Sequence, residues 1–290
     1  MTMRVHRLHR DAVLAAAVTC SALTVLTGCG GESARSDTAA PAGASPSATA
    51  VPTSAGDTIV GPSQQLGNGD ARTYVTLDGD GRPTEVGVRL SSTALEGLPE
   101  AGRMLMLDLP DQAATTAFDH VMLNWNPQGH DPVELFGKPH FDFHFDMVDM
   151  ATMHGITPDD PAYAAKAEHV PEARYMPADY AVAPDEPVAA QAVPGMGVHW
   201  FDASDPSLVP GSYDFRYIVL NGSWDGRPTF EEPMITREFL MSGPDVEQPL
   251  KQPQAFQKTA YYPTTYAIDV DEQNGDYLVS LAGMTARTAS

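Results

Sequence analysis

Between Gly30 and Ser290 the chain contains no cysteine; both of its cysteines, Cys20 and Cys29, lie in the first 29 residues. A domain built from the remainder has no disulfide, no thiol nucleophile and no thiolate metal ligand, so any metal it holds must be bound through nitrogen and oxygen. Basic residues are also scarce, with 17 Lys and Arg against 38 Asp and Glu. A field of that sign repels phosphate backbones and excludes nucleic acid as a partner, while cations and cationic small molecules are favoured. No Gly-x-Ser-x-Gly elbow, phosphate loop, dinucleotide fingerprint or βαβ alternation is present. Serine hydrolysis and nucleotide chemistry are therefore disfavoured. Only one apolar run is long, from Ala12 to Leu26, and at fifteen residues it is short for a membrane span.

That run follows Arg4, Arg7 and Arg10, the arrangement of a secretory signal. It ends in Leu26-Thr27-Gly28-Cys29, which resembles the lipobox of bacterial lipoproteins. The resemblance implies that residues 1–28 are a signal peptide and that Cys29 receives a diacylglycerol. The mature protein would then be exported and lipid-anchored on the outer face of the cytoplasmic membrane. More than one acyl chain makes such an anchor durable, each buried methylene contributing roughly 0.8 kcal/mol. Residues 29–56 hold the modified cysteine and an Ala/Ser/Thr/Pro/Gly tether with too few bulky apolar groups to fold. Residues 57–290 are then one β-rich domain, long enough to bury a sizeable core.

Within that domain the alternations indicate hairpins. Tyr74–Leu77 and Glu85–Leu90 flank Asp78-Gly79-Asp80-Gly81, which lacks the closing glutamate of a calcium loop and is turn chemistry. A second hairpin joins Tyr213–Leu220 to the segment from Thr229 through a turn at 221–226. A third joins Tyr261–Val270 to Tyr277–Leu281. Arg103–Leu109, Phe118–Trp125 and 195–201 are further strands. One helix is expected, capped by Thr157, with Pro158 first, running through Ala162 to His169 and stopped by Pro171. Residues 171–194 are a long proline-rich covering loop. The fold class is mainly β, an antiparallel sandwich or barrel with one short helix and long Pro-rich loops. Exposed strand edges leave a homo-oligomer open.

The most unusual stretch is Pro139-His140-Phe141-Asp142-Phe143-His144-Phe145-Asp146. Strict alternation gives one aromatic face and one face carrying His140, Asp142, His144 and Asp146. The second face is costly to bury unless a metal or a hydrogen-bond network satisfies it. All seven histidines beyond residue 28 fall between 120 and 199, where an even spread would put about two. Imidazole with carboxylate suits zinc, copper or iron. His140 and His144 stand roughly 13 Å apart along a strand and cannot easily share one ion, whereas His140 with Asp142, or Asp142 with His144, can. The strand is thus half a site. Its completion is expected from His130 on the Asn124–Pro132 loop, from His199, and from Glu232. His120, His154 and His169 are expected to be structural.

Four ordered motifs, Asn124–His130, Pro139–Phe145, Met196–Trp200 and Glu232–Thr236, resemble an uncharacterised family of exported bacterial proteins typified by a Thermus protein. The resemblance implies a β-rich fold and a shared polar site, with no assigned activity. A more distant likeness is to cupins, through His140-x-Asp142-x-His144 and Pro194–His199, although the histidine spacing of four departs from theirs. Three functional readings remain from the sequence. The first is a tethered His/Asp-lined domain that binds a metal or small ligand, in an envelope or stress role. The second is a cupin-like metal-dependent enzyme, with His140, His144 and His199 as ligands and Glu232 or Asp142 as base. The third is a structural surface protein with a buried histidine network.

Overall fold

The computed structural model describes residues 56–290 except Asp185. The expected signal peptide, Cys29 and the expected tether up to residue 55 lie outside the described residues. The strands are β1 (Thr58–Val60), β2 (Gln64–Leu66), β3 (Gly69–Leu77), β4 (Pro83–Leu90), β5 (Arg103–Asp108), β6 (His120–Asn126), β7 (His140–Asp146), β8 (Tyr180–Ala181) and β9 (Ala192–Val193). They continue with β10 (Gly197–Asp202), β11 (Tyr217–Trp224), β12 (Arg227–Thr236), β13 (Val246–Pro249), β14 (Ala260–Tyr262), β15 (Thr265–Val270), β16 (Tyr277–Ala282) and β17 (Thr285–Arg287). Short helices α1 (Val133–Phe136), α2 (Met150–His154), α3 (Tyr163–Glu168) and α4 (Arg237–Met241) interrupt them.

Two antiparallel sheets stack as a sandwich. One has seven strands in the order β1-β3-β4-β16-β15-β13, with β2 on β3. The other has eight, in the order β5-β6-β7-β12-β11-β10-β8, with β9 on β10. No closed barrel forms among the described residues, so the sandwich half of the expectation holds and the barrel half does not. The main core lies between the sheets. Val75, Val86, Val88, Val279 and Leu281 of the first meet Leu107, Val121, Leu123, Phe141, Phe143, Phe145 and Ile235 of the second. Phe141, Phe143 and Phe145 are fully shielded from solvent. Each such side chain stabilises the fold by roughly 1.5–3 kcal/mol through burial alone.

Several local expectations are corrected. Four short helices replace the single one, since helices of four to six residues are too brief to leave a periodic signal. The expected helix starts later, at Tyr163, because Pro161 has no N–H to bond back to the Thr157 carbonyl, and Thr157 does not cap it. The Asp160 carboxylate instead accepts from the Ala162 amide at 2.8 Å and the Lys166 ammonium at 2.7 Å. In the second hairpin the turn shrinks to Asp225-Gly226, both with positive φ, and Asn221–Trp224 extend β11. Two left-handed central residues suit the twist of a tight hairpin. The third hairpin's first strand is divided into β14 and β15 around Pro263. Asp78 behaves as a turn residue, its Oδ1 accepting from the Asp80 and Arg82 amides at 2.9 Å each. The 171–194 segment is largely irregular, with two-residue strands β8 and β9 pairing onto β10.

Candidate functional site

β7 lies in the middle of the eight-stranded sheet and is buried on both faces. The phenylalanines face the other sheet. On the outer face the register sets His140 beside Asn126, Asp142 beside Asn124, His144 beside Met122 and Asp146 beside His120, all on β6. On the other flank, β12 pairs Met234 with Asp142 and Glu231 with Phe145, so Glu232 stands level with His144. Beyond it β11 sets Gly222 against both Phe230 and His199. Phe136 of α1 and Phe215 roof this outer face, packing with Ile218, Leu220 and Met234.

The six candidate ligands separate into two trios whose donor atoms lie within 4.8 Å of one another: His130, His140 and Asp142; and His144, His199 and Glu232. His140 and His144 therefore serve different clusters, and a single ion held by His140, His144 and His199 is not what this arrangement gathers. In the first trio His140 Nε2 is 3.0 Å from Asp142 Oδ1, and His130 Nε2 is 3.6 Å from Oδ2. In the second, His144 Nε2 is 3.2 Å from Glu232 Oε1 and His199 Nε2 is 3.6 Å from Oε2. Two donors sharing a tetrahedral zinc at its usual bond lengths stand roughly 3.3 Å apart. Each trio also keeps one member at the surface, His130 at 39% and His199 at 24% side-chain exposure.

The hydrogen bonds around the first trio determine which nitrogen faces inward. His140 Nδ1 is 2.7 Å from the Lys138 carbonyl and His130 Nδ1 is 2.8 Å from the Asp131 carbonyl. A carbonyl only accepts, so each Nδ1 carries a proton and Nε2 is the ring nitrogen presented to Asp142. Two ring nitrogens and a carboxylate then converge, with His140 Nε2 3.0 Å from Asp142 Oδ1 but out of line for a well-formed hydrogen bond. That is the outer arrangement of histidine metal ligands, whose second nitrogen is anchored to a carbonyl or carboxylate. Gly129 makes the loop possible: its φ is +68°, and a Cβ there would fall 2.2 Å from the Phe136 carbonyl oxygen. The same carbonyl accepts from the His130 amide at 3.2 Å.

The second trio is drier. Both ring nitrogens of His144 and Glu232 Oε2 are buried without a hydrogen-bond partner. The Phe230 ring lies 4.8 Å from the His144 ring and 5.0 Å from the His199 ring, centroid to centroid. Gly222 admits that aromatic, since a Cβ there would sit 2.1 Å from it. Burial pushes His144 down to about 4, with the nearby His130 acting in the same direction against the pull of Asp142. Burial likewise lowers His199 to about 3, helped by His144. Burial raises Glu232 well above its ordinary range, aided by the Asp142 and Asp146 charges. In the first trio, burial opposes the charge on Asp142, but hydrogen bonds from His130 and His140 prevail and hold it below the usual carboxylate range. For His130 burial is again outweighed, by the Asp142 hydrogen bond and charge, and its pKa is raised. A dication placed among these carboxylates and lone pairs would supply the charge they lack.

The remaining histidines lie outside both trios. His120 Nδ1 pairs with Asp119 at 3.0 Å while its Nε2, 3.3 Å from Asp146 Oδ2, makes no hydrogen bond, and His169 pairs with Asp225 at 2.9 Å on the surface. His154 closes α2. One participant was not anticipated: Asn126 donates through Nδ2 to Asp142 Oδ2 at 2.6 Å. Its signal is the register of β6 on β7, which no local pattern shows. Asn221-Gly222-Ser223, expected in a turn, is instead buried in β11.

Residues 78–125 match the family model described as TTHB210-like, hypothetical protein TTHB210. This agrees with the expected likeness to an uncharacterised family typified by a Thermus protein, and no match supports the cupin likeness. The matched segment spans β4 to β6 and stops one residue before Asn126, so it contains none of the six candidate ligands. No curated protein and no solved structure matches the chain.

Proposed function

We propose that the domain binds divalent transition metal at the two histidine–carboxylate trios, in an exported protein anchored by lipid on Cys29 to the outer face of the cytoplasmic membrane. The observation that carries the reading is the pair of Nδ1–carbonyl hydrogen bonds on His130 and His140, which turn both Nε2 atoms, the nitrogens a metal would take after losing any proton, toward the Asp142 carboxylate. Zinc, copper and iron all accept imidazole with carboxylate. A purely structural histidine network would pair its buried polar atoms, yet Asp142 Oδ1, both His144 nitrogens and Glu232 Oε2 have no partner. An envelope or stress role suits a tethered metal-binding domain.

The partial exposure of His130 and His199 favours a second reading, a metal-dependent enzyme. Three protein ligands with an accessible fourth position are the arrangement of catalytic rather than structural zinc. In that case Asp142 and Glu232 are ligands, not free general bases.

Chelator-stripped protein titrated with zinc, copper(II) and iron(II) tests the proposal. Two ions per chain are expected for wild type, with one each for the His130→Ala/His140→Ala and His144→Ala/His199→Ala variants. Absence of stoichiometric binding by all three metals defeats it. Labelled palmitate incorporated by the wild type and not by Cys29→Ala tests the anchor.

A further inference from the structure

Glu231 and Glu232 are adjacent on β12 and so project to opposite faces. Glu232 belongs to the second trio, whereas Glu231 opens into a cleft of ≈ 840 Å³ on the other side of the sheet. Asn221 of β11 and Glu231 form part of its wall, and the 252–263 segment covers it with Gln252, Phe256, Lys258 and Tyr262. The size falls within that of small-molecule sites, roughly 300–1,000 Å³.

Its polar groups are unbalanced. Gln252 Nε2 donates to the Leu250 and Pro263 carbonyls at 3.2 and 3.0 Å, which fixes the amide so that Oε1 is the free end. That Oε1 and Glu231 Oε2 are both enclosed and have no hydrogen-bond partner. Several donors in the wall are already committed. Lys258 Nζ is held by the Thr116 and Ala117 carbonyls at 3.4 and 3.3 Å, and Gln257 Nε2 by the Gly226 carbonyl at 2.8 Å. The Tyr262 hydroxyl donates to the Lys258 carbonyl at 3.1 Å, and His169 is paired with Asp225. None of the donors in the wall, the exposed Arg227 at the rim among them, hydrogen-bonds Glu231 Oε2 or Gln252 Oε1. Enclosed acceptors without one are costly, and each such group in a folded protein needs an explanation.

We propose that the cleft binds a small amine, whose protonated ammonium or guanidinium end donates to Glu231 Oε2 and Gln252 Oε1 while its alkyl stem lies along Phe256 and Tyr262. Such a head group offers only donors, the complement of the two orphaned oxygens. The Phe256 and Tyr262 rings, tilted against each other with centroids 4.4 Å apart and with the Arg287 guanidinium over Phe256, give the stem an apolar wall. The acid excess of the whole chain raises the local concentration of cations. The site lies on the face of β12 opposite the metal trios and stands without them.

Calorimetric titration of the full chain, purified in detergent, with 1,5-diaminopentane and with pentane-1,5-diol at pH 8 and ~0.15 M salt tests the proposal. The diamine should bind saturably and the diol should not. Glu231→Gln should weaken the diamine at least tenfold and Gln252→Leu severalfold, with cooperative unfolding retained and metal content unchanged. Gln252→Leu keeps the test intact if Glu231→Gln fails to fold. Lack of saturable diamine binding, equal binding of the diol, or wild-type affinity in a natively folded variant would overturn it.

Discussion

Consider what acid should do to the metal-free protein through His144. The side chain is 1% exposed and its pKa is pushed down to about 4 in the fold, against about 6.5 for a solvated imidazole. A lowered basic group stays neutral in the native state while the unfolded chain takes up the proton. Its contribution to stability is therefore complete above pH 6.5 and is lost as pH falls from 6.5 toward 4. At pH 4.5 the unfolded imidazole is almost fully protonated and the folded one is not, a difference of about 2.5 kcal/mol from this residue. That is a large share of a typical 5–15 kcal/mol total. Urea unfolding at pH 7.5 and 4.5, with chelator present, should show the wild type losing about 2.5 kcal/mol more than His144→Gln across that interval. His199, Glu232 and Asp142 titrate in both proteins, so the subtraction reports His144 together with its charge coupling to His199 and Asp142. Equal losses in the two proteins, within about 0.5 kcal/mol, would refute the reasoning, because they would mean His144 is already charged in the native state.

Other perturbations read different parts of the molecule. Phe143→Ala, on the opposite face of the same strand, should cost about 3–5 kcal/mol in urea unfolding without changing metal stoichiometry in the folded fraction. Asn126→Ala removes the 2.6 Å hydrogen bond to Asp142 and should weaken metal at the first trio by roughly 10–100-fold in calorimetry, leaving the second unaffected. Burial alone lifts the Glu231 carboxyl to about 8 from an ordinary 4.5. Its stabilising contribution is present below pH 4.5 and lost as pH rises through 8, so wild type should fall relative to Glu231→Gln between those values in thermal denaturation. A diamine in the cleft should offset that loss, since a nearby cation favours the charged carboxylate.

Much of the fold can be read locally. The alternation of 140–146 states that the strand has an aromatic and a polar face, because side chains on a strand repeat every two residues. The same parity sends Glu231 and Glu232 apart. The distance along the strand separates His140 from His144, and His130, His199 and Glu232 are recognisable as completing groups by type alone. What could not be read is which of them joins which. That depends on the register of β12 and β6 against β7, a non-local pairing that places Glu232 level with His144 and Asn126 beside His140. The expectation of half a site therefore became two clusters. Short helices such as α1 and α2 leave no period, and Pro161 delays the helix that Thr157 seemed placed to cap. The cleft is formed in part by the 252–263 segment, most of it irregular, whose sequence gives no hint that Gln252 faces Glu231's side of the sheet.

Anomalous diffraction at the zinc absorption edge, from crystals grown with zinc, tests the central claim most directly. The account predicts two peaks per chain, one among His130, His140 and Asp142 and one among His144, His199 and Glu232. Zinc confined to surface carboxylates, with both trios resolved and free of anomalous signal, would contradict it.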